Sequence, residues 1–261
     1  FVTLVYVFTK PYFMKKYQAV LFDLFGTVAL FDRDKLPLFE WNGQTSRSTM
    51  GRLRLFYEEK TSDVPFARFL SALSDVSKEL GDERNQSLRE FSSVHRFSQA
   101  LLRAGFSASS DTQVLAEQLS LTHMASLARA TAVPEDHVDF LAQVKQTYAI
   151  ALVSNFDHGP TARGVLRTGK VDAHFHHIII SDEHGWRKPH PKIFADALSA
   201  LGVEPVDALF VGDSPQDDII GAKTVGMEVA WVNAQGATLP DGVPDPDLTI
   251  SAIPDLRRIL F

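Results

Sequence analysis

Three short apolar segments, each followed by a polar residue that can do chemistry, constrain the fold of this chain more than any other feature. They read AVLF, AIALV and ALFV at residues 19–22, 149–153 and 208–211, and they precede Asp23, Ser154 and Gly212-Asp213. Short apolar runs without alternation are typical of strands buried on both faces of a parallel sheet. Similar runs and helical stretches alternate along the later part of the chain, the runs at 178–180 and 228–232 and the helices at 159–167, 191–201 and 218–225. We therefore predict an α/β fold with a doubly wound, mostly parallel sheet.

The segment from residue 30 to residue 145 has a different character. It is rich in Leu, Ala, Ser, Arg and Glu, and its apolar residues recur at helical spacing, as at Phe66, Phe69 and Leu73. We predict an inserted α-helical domain of four to five helices at 30–145, within an α/β core made of 14–29 and 146–261. Residues 1–13 precede Met14-Lys15-Lys16, which resembles a natural start, and we expect them to be an N-terminal extension.

Charge and cysteine content exclude several classes of function. The 261 residues carry a formal net charge of −6, so the chain lacks the basic surface of a general nucleic-acid binder. No apolar run reaches the roughly 18 residues that suggest a membrane span, and no basic cluster suggests binding to a membrane surface. The absence of cysteine excludes disulfides and thiolate metal sites and fits a reducing compartment. We expect a cytoplasmic protein with no nucleic-acid or membrane partner, and the sequence leaves its oligomeric state open.

The polar residues that follow the apolar segments predict one site. Ligands of open α/β sheets bind outside the carboxyl ends of the strands, where Asp23, Ser154 and Asp213 would lie. Lys188, in a loop after the run at 178–180, is expected to join them. A carboxylate such as Asp23 can attack phosphorus and form an aspartyl phosphate, while Lys188 and Ser154 hold the phosphoryl oxygens. A hard divalent cation between Asp23 and Asp213 would reduce the repulsion between these acids and an anionic substrate, and Mg²⁺ is the expected ion.

Four ordered motifs resemble those of the haloacid dehalogenase superfamily. They are FDLFGT at 22–27, VSN at 153–155, KPHP at 188–191 and VGDSPQDD at 211–218. The resemblance implies a helical cap inserted just after the first motif. It also implies that Asp23 is the nucleophile and a metal ligand. The other metal ligands that it implies are Asp213, the backbone carbonyl of Phe25, and Asp218 in preference to Asp217.

Two further residues are predicted to bind substrate. Asn155 follows Ser154 in the second motif. Arg54 lies 31 residues after Asp23, in the region where the family's dehalogenases place an arginine that binds the substrate carboxylate. An exposed helix face remains the alternative interpretation of Arg54.

Phe25 departs from the pattern of the family's phosphatases. These usually carry a second aspartate two positions after the nucleophile, which acts as general acid and base, whereas a phenyl ring cannot transfer a proton. The family's dehalogenases carry an aromatic residue there but lack the acidic pair formed here by Asp213 and Asp218. We predict a Mg²⁺-dependent phosphatase acting on a small phosphomonoester. A metal-independent 2-haloacid dehalogenase is the first alternative, and a catalytically impaired protein that binds a phosphorylated metabolite or a partner is the second.

Overall fold

Six parallel strands form the central sheet of the computed structural model, which describes residues 17–261. The predicted extension at 1–13 lies outside the described residues. With strands numbered in chain order, the spatial order is β10 (Leu248–Ile250), β9 (Glu228–Val232), β8 (Ala208–Gly212), β1 (Ala19–Phe22), β6 (Ala149–Ser154) and β7 (His177–Ile180). All five neighbouring pairs are parallel. The predicted mostly parallel sheet is confirmed, and β10 is a strand that the apolar pattern did not reveal.

The register of the central strands brings their carboxyl ends to one edge. Phe22 on β1 pairs with Leu152 on β6 and with Val211 on β8. The residues that follow these strands therefore leave the sheet within about one residue of the same level. This register is what gathers polar side chains from distant parts of the chain.

Helices cover both faces of the sheet, which explains why its strands are mostly apolar. On one face, α5 (Glu135–Lys145) and α6 (Gly159–Thr168) pack against alternate strand residues such as Val20 and Phe22. On the other face, α8 (Pro191–Leu201) and α9 (Ile220–Val225) pack against the intervening residues, including Leu21. The short helices α7 (Ser181–His184) and α10 (Arg257–Leu260) complete the set. The doubly wound α/β class predicted from the sequence is confirmed.

Four helices form a separate packed unit, which we call the cap. They are α1 (Met50–Lys60), α2 (Phe66–Ser87), α3 (Ser93–Ala104) and α4 (Ser110–Arg129). Their own apolar core includes Tyr57, Phe69 and Phe97. The cap also contains an antiparallel hairpin of β3 (Leu38–Trp41) and β4 (Gln44–Arg47), which was not predicted. Its two-residue turn is Asn42-Gly43, with φ values of 50° and 76°, and an Asn-Gly pair is a strong sequence signal for such a turn.

The two chain crossings between cap and core lie side by side. The strands β2 (Leu30–Phe31) and β5 (Thr131–Ala132) pair with each other in antiparallel fashion. The next helix, α5, buries Phe140 and Val144 in the sheet core and not in the cap. We therefore propose that the cap ends near residue 132, earlier than the predicted boundary at 145. In the described part of the chain, no helix is both long and apolar enough to cross a membrane.

Candidate active site

A buried lysine lies between two carboxylates at the carboxyl edge of the sheet. The Nζ atom of Lys188 is 2.7 Å from Oδ1 of Asp23 and 2.7 Å from Oδ1 of Asp218. The side chains of Lys188 and Asp218 are each only 1% exposed. Because β1, the loop before α8 and the turn before α9 supply one residue each, residues that are 195 positions apart in the chain meet in one ion-paired cluster.

The ammonium of Lys188 is held in its charged form. Burial alone would lower the pKa of Lys188, but the carboxylates of Asp218 and Asp23 raise it by more, so the pKa lies above its usual value. Its positive charge is therefore present throughout the physiological pH range. A permanent cation of this kind can stabilise the negative charge of a substrate next to Asp23.

Asn155 positions Lys188 through its backbone. The side-chain nitrogen of Asn155 donates to the carbonyl oxygen of Lys188 at 2.9 Å, and its side-chain oxygen accepts from the amide of Lys188 at 2.7 Å. Such a pair fixes the loop that follows β6 against the loop that carries the lysine. We therefore propose that Asn155 positions Lys188, and its contact with substrate stays a prediction.

Three carboxylates converge at this edge. Asp23, Asp213 and Asp218 each direct one oxygen so that the three atoms lie within 4.8 Å of one another. Burial raises the pKa of Asp23 to about 7, although the ammonium of Lys188 opposes the shift. Burial and the carboxylate of Asp218 raise the pKa of Asp213 to about 6. Three acids with a single buried lysine among them leave negative charge that a cation can neutralise.

Two glycines allow the carboxylates to approach the backbone. A Cβ atom on Gly26 would lie 2.2 Å from Oδ2 of Asp213, and a Cβ atom on Gly212 would lie 2.2 Å from Oδ2 of Asp218. Gly26 also has a φ of +85°, which side-chain-bearing residues rarely adopt. Both carboxylates therefore occupy space that only a glycine at these two backbone positions leaves open. All-oxygen donors arranged in this way fit a hard cation such as Mg²⁺.

The chain forms a tight turn after Asp23, in which the residues on either side of Phe25 make backbone hydrogen bonds to Ala29. The amide of Ala29 donates to the carbonyl of Leu24 at 2.7 Å, and the amide of Gly26 donates to the carbonyl of Ala29 at 2.9 Å. The carbonyl of Phe25 itself accepts no backbone hydrogen bond within residues 17–261. Its phenyl ring packs against the ring of Phe156, with centroids 4.5 Å apart. The carbonyl is thus free to serve as a ligand, while the side chain offers no proton.

Ser154 ends β6 with a hydroxyl group that is buried and unpaired. Its residue is fully buried, and its Oγ atom has no hydrogen-bond partner among the described residues. An unpaired buried hydroxyl is costly unless a ligand satisfies it. This orphaned group is consistent with a phosphoryl oxygen binding beside Asp23.

Arg54 is not part of this cluster. Its Nε atom donates to Glu58 one turn along α1 at 2.8 Å, and its guanidinium lies 5.6 Å from the ring centre of Trp41. These contacts match the alternative interpretation, an exposed helix face. The structure therefore gives no support to the predicted role of Arg54 in substrate binding.

Trp231 supports the site in a way that the sequence did not indicate. It lies at the end of β9, beside Gly212 of β8, and its indole N–H donates to the carbonyl of Asp213 at 3.0 Å. The amide of Ser214 donates to Oδ2 of Asp218 at 2.9 Å. These bonds fix the backbone at Asp213 and the carboxylate of Asp218. A tryptophan at the end of an apolar strand carries no local signal of such a role.

Comparison with known proteins agrees with this geometry. A segment of 99 residues is 39% identical to the glyceraldehyde 3-phosphate phosphatase of Pyrococcus furiosus and covers 38% of this chain and 41% of that protein. A segment of 123 residues is 36% identical to the phosphoserine phosphatase of Thermus thermophilus and covers 47% of each. The chain thus spans less than half the length of these relatives, so its own activity and substrate remain proposals.

The whole fold is shared with a solved protein. The crystal structure of a 2-haloacid dehalogenase from Pseudomonas syringae pv. Tomato DC3000 superposes with a TM-score of 0.71 over 94% of this chain and 98% of that one, at 23% identity. At this identity the likeness concerns the fold alone. The sequence model of haloacid dehalogenase-like hydrolases matches residues 17–226, which is most of the chain. The chain therefore belongs to the haloacid dehalogenase-like hydrolase family.

Proposed function

We propose that this protein is a Mg²⁺-dependent phosphatase that hydrolyses small phosphomonoesters through an aspartyl phosphate on Asp23. The observation that carries the proposal is the cluster of Asp23, Asp213 and Asp218 around the buried ammonium of Lys188. The phosphatase names of the two sequence relatives support the same class of reaction.

The two oxygens of Asp23 differ in their surroundings, and this difference assigns them roles. Oδ1 accepts the hydrogen bond from Lys188 at 2.7 Å. Within the described chain, Oδ2 has no hydrogen-bond donor, so it is the oxygen available to attack phosphorus. Lys188 holds the carboxylate in place and offers its charge to the phosphoryl oxygens, and the hydroxyl of Ser154 binds another of them. Attack forms the bond from Asp23 to phosphorus and breaks the bond to the leaving-group oxygen, and water then hydrolyses the acyl phosphate.

The same residues fit the cation that this reaction needs. Asp23, Asp213, Asp218 and the carbonyl of Phe25 would hold Mg²⁺, with Asp218 shared between the ion and Lys188. When bound, the ion offsets the repulsion between the acids and the phosphoryl group. In the chain without a cation, burial and, after it, the neighbouring carboxylates raise the pKa values of Asp23 and Asp213.

This site has no general acid at position 25 to protonate the leaving group. Phe25 occupies the position of the usual general acid, and its ring packs against Phe156. The leaving-group oxygen must take its proton from water or from another side chain. General acid catalysis is typically worth about 10² to 10⁴ in rate, so alkyl phosphates should be slow substrates and esters with acidic leaving groups faster ones.

Phe25 also favours the alternative activity. In a 2-haloacid dehalogenase, Asp23 would displace halide from carbon, and halide leaves without a proton. The carboxylates of Asp213 and Asp218, which lie against glycines, oppose this alternative. Without a cation they would repel the carboxylate of a 2-haloacid substrate. A catalytically impaired protein would carry out neither reaction.

A paired assay tests the proposed function. We expect the protein to hydrolyse p-nitrophenyl phosphate, glyceraldehyde 3-phosphate or phosphoserine in the presence of Mg²⁺, and to lose this activity in the presence of a chelator. The same preparation should release no chloride from 2-chloropropionate. Chloride release that is independent of Mg²⁺ would replace the phosphatase with the dehalogenase. A folded protein with neither activity would favour the impaired family member.

The binding of Mg²⁺ should weaken as the pH falls. Because the pKa values of Asp23 and Asp213 are raised to about 7 and about 6, protons compete with the ion for both carboxylates near neutral pH. Between about pH 8 and about pH 6 the affinity should fall about tenfold or more, with protons released on binding. Titration calorimetry in buffers of different ionisation heat measures both quantities.

Two variants complete this titration. Asp213→Asn removes a ligand and should abolish measurable binding, whereas Asp241→Asn, in an exposed loop, should bind as the wild type does. An affinity that does not change with pH, or that survives Asp213→Asn, would contradict the assigned ligands.

The proposed substrate, partners and location follow from the proposed reaction and from the composition of the chain. A small phosphorylated metabolite is the proposed substrate, and neither a nucleic acid nor a membrane is a proposed partner. A cytoplasmic location is proposed because the chain carries no cysteine and because its proposed substrates are metabolites.

A further inference from the structure

The connection between α2 and α3 binds the cap to the core at a place other than the two chain crossings. The amide of Glu90 donates to the carbonyl of Gly185 at 3.1 Å, and the amide of Arg187 donates to the carbonyl of Leu88 at 3.0 Å. Two reciprocal backbone bonds join the segments 88–90 and 185–187. The second of these segments leads directly into Lys188.

The side chain of Glu90 is buried at this junction and fully engaged. It is only 2% exposed. Its Oε2 atom accepts the hydroxyl of Ser181 at 2.6 Å, and its Oε1 atom lies 2.9 Å from Nε of Arg84. Arg187 approaches the same carboxylate at 3.8 Å. A carboxylate from the cap is therefore inserted among residues of the core.

Ser181 extends the influence of Glu90 to the second motif. The amide of Phe156 donates to the hydroxyl oxygen of Ser181 at 2.9 Å. Phe156 directly follows Asn155. The side chain of Asn155 is hydrogen-bonded to both the amide and the carbonyl of Lys188. Glu90 thus reaches the loop after β6 through Ser181 and the loop before Lys188 through the backbone bonds described above.

A second set of charged contacts lies beside the first. The carboxylate of Asp157, from the loop after β6, lies 3.3 Å from Arg84 on α2 and 3.2 Å from Arg96 on α3. The amide of Ser93 donates to the carbonyl of Asp157 at 2.6 Å. The side chains of Asp157, Arg84 and Arg96 are between 13% and 18% exposed, so their ion pairs are largely shielded from solvent. The cap therefore contacts the loop after β6 directly at Asp157 and indirectly through Ser181.

We propose that Glu90 is a positioning residue for the reaction, one that ties the docked cap to the two loops that present Asn155 and Lys188. This inference rests on the proposed function for its effect on catalysis, but not for its effect on the loops. Without the Glu90 carboxylate, the hydroxyl of Ser181 keeps only its longer contact with the carbonyl of Phe156, at 3.3 Å, and Arg84 loses one of its two carboxylate partners. The loops at 155–157 and 185–188 then gain freedom, and Lys188 is held less firmly in its position against Asp23. A shift of about 1 Å in a catalytic group can cost about 10²-fold in rate.

The direct test is hydrogen exchange in the protein without substrate. Glu90→Ala should raise the exchange rates of the amides in 155–157 and 185–188 at least about tenfold. Glu79→Ala is the matched control, because Glu79 is a glutamate of α2, the helix that precedes Glu90, and its ion pair with Arg103 is largely exposed. Unchanged exchange in 185–188 of folded Glu90→Ala would overturn the proposal, whatever reaction the protein catalyses.

A kinetic test follows with p-nitrophenyl phosphate and saturating Mg²⁺. We expect kcat of Glu90→Ala to fall about 10- to 100-fold, with a change in KM of less than about threefold, since Lys188 acts mainly on the transition state. Glu90→Gln keeps an acceptor for Ser181 and should recover part of the loss, and it also serves if Glu90→Ala does not fold. Loop exchange that rises while kcat stays at the wild-type value would overturn the positioning role. A wild type with no phosphatase activity would refute the proposed function, and the exchange experiment would still decide the role of Glu90 in the loops.

Discussion

Replacing Asp23 by Asn should lower the turnover of p-nitrophenyl phosphate by at least about 10³-fold. The amide keeps the shape of the side chain and its oxygen can still accept from Lys188, which donates to Oδ1 at 2.7 Å in the wild type. It supplies no carboxylate oxygen to attack phosphorus, and it weakens the binding of the cation. Initial rates at saturating Mg²⁺, normalised to the folded fraction, measure the effect.

Asp217→Asn is the matched control for this experiment. Asp217 lies next to Asp218, yet it is only partly buried, and its amide donates to the hydroxyl oxygen of Ser214, which caps the turn. Because it does not belong to the group of three converging acids, we expect a loss of less than about tenfold. Wild-type turnover in Asp23→Asn, or a larger loss in Asp217→Asn than in Asp23→Asn, would contradict the site assignment.

Replacing Phe25 by Asp should increase the hydrolysis of alkyl phosphates. The new carboxylic acid would stand two residues after the nucleophile and supply the missing proton. The gain has an upper limit of about 10² to 10⁴, the usual value of general acid catalysis. It should be smaller for p-nitrophenyl phosphate, because this leaving group needs less protonation. The ratio of kcat/KM for the two substrate types, measured in both proteins, isolates the contribution of the proton.

A second substitution separates this effect from the loss of the aromatic contact. Phe25→Leu removes the packing against Phe156 without adding a carboxylate, and we expect no preferential gain on alkyl phosphates. In a dehalogenase, Phe25→Asp should instead damage turnover by placing another anion beside Asp23 and the substrate carboxylate. A folded Phe25→Asp protein that binds Mg²⁺ but gains nothing on alkyl phosphates would refute our account of this position.

The sheet could be predicted because its strands are buried on both faces and are therefore continuous apolar runs. The run at 19–22 coincides with β1, and the run at 228–232 coincides with β9. β10 escaped prediction because it is a three-residue edge strand after a loop rich in Pro and Gly. The hairpin of β3 and β4 was missed because the composition of the segment around it is typical of helices. The Asn42-Gly43 pair was nevertheless a usable signal for its turn.

The group of charged residues could be predicted because strand ends of a parallel sheet share one edge. Asp23, Asp213, Asp218 and Lys188 all follow from that rule together with the ordered motifs. The bonds of Asn155 to Lys188 and the role of Glu90 could not be predicted in the same way, because these partners are backbone atoms or side chains that only the folded chain brings near. For Arg54, distance along the chain was a poor guide because helix α1 directs it toward Glu58 and Trp41.

A covalent intermediate on Asp23 is the central claim, and trapping it is the most direct test. Wild-type protein turning over p-nitrophenyl phosphate with Mg²⁺ would be quenched rapidly in acid, digested and mapped by mass spectrometry. We expect a phosphorylated peptide that contains Asp23. This peptide should be absent when Mg²⁺ is removed and absent in Asp23→Asn. Steady turnover without a phosphorylated peptide, or phosphate found on another residue, would contradict the central claim.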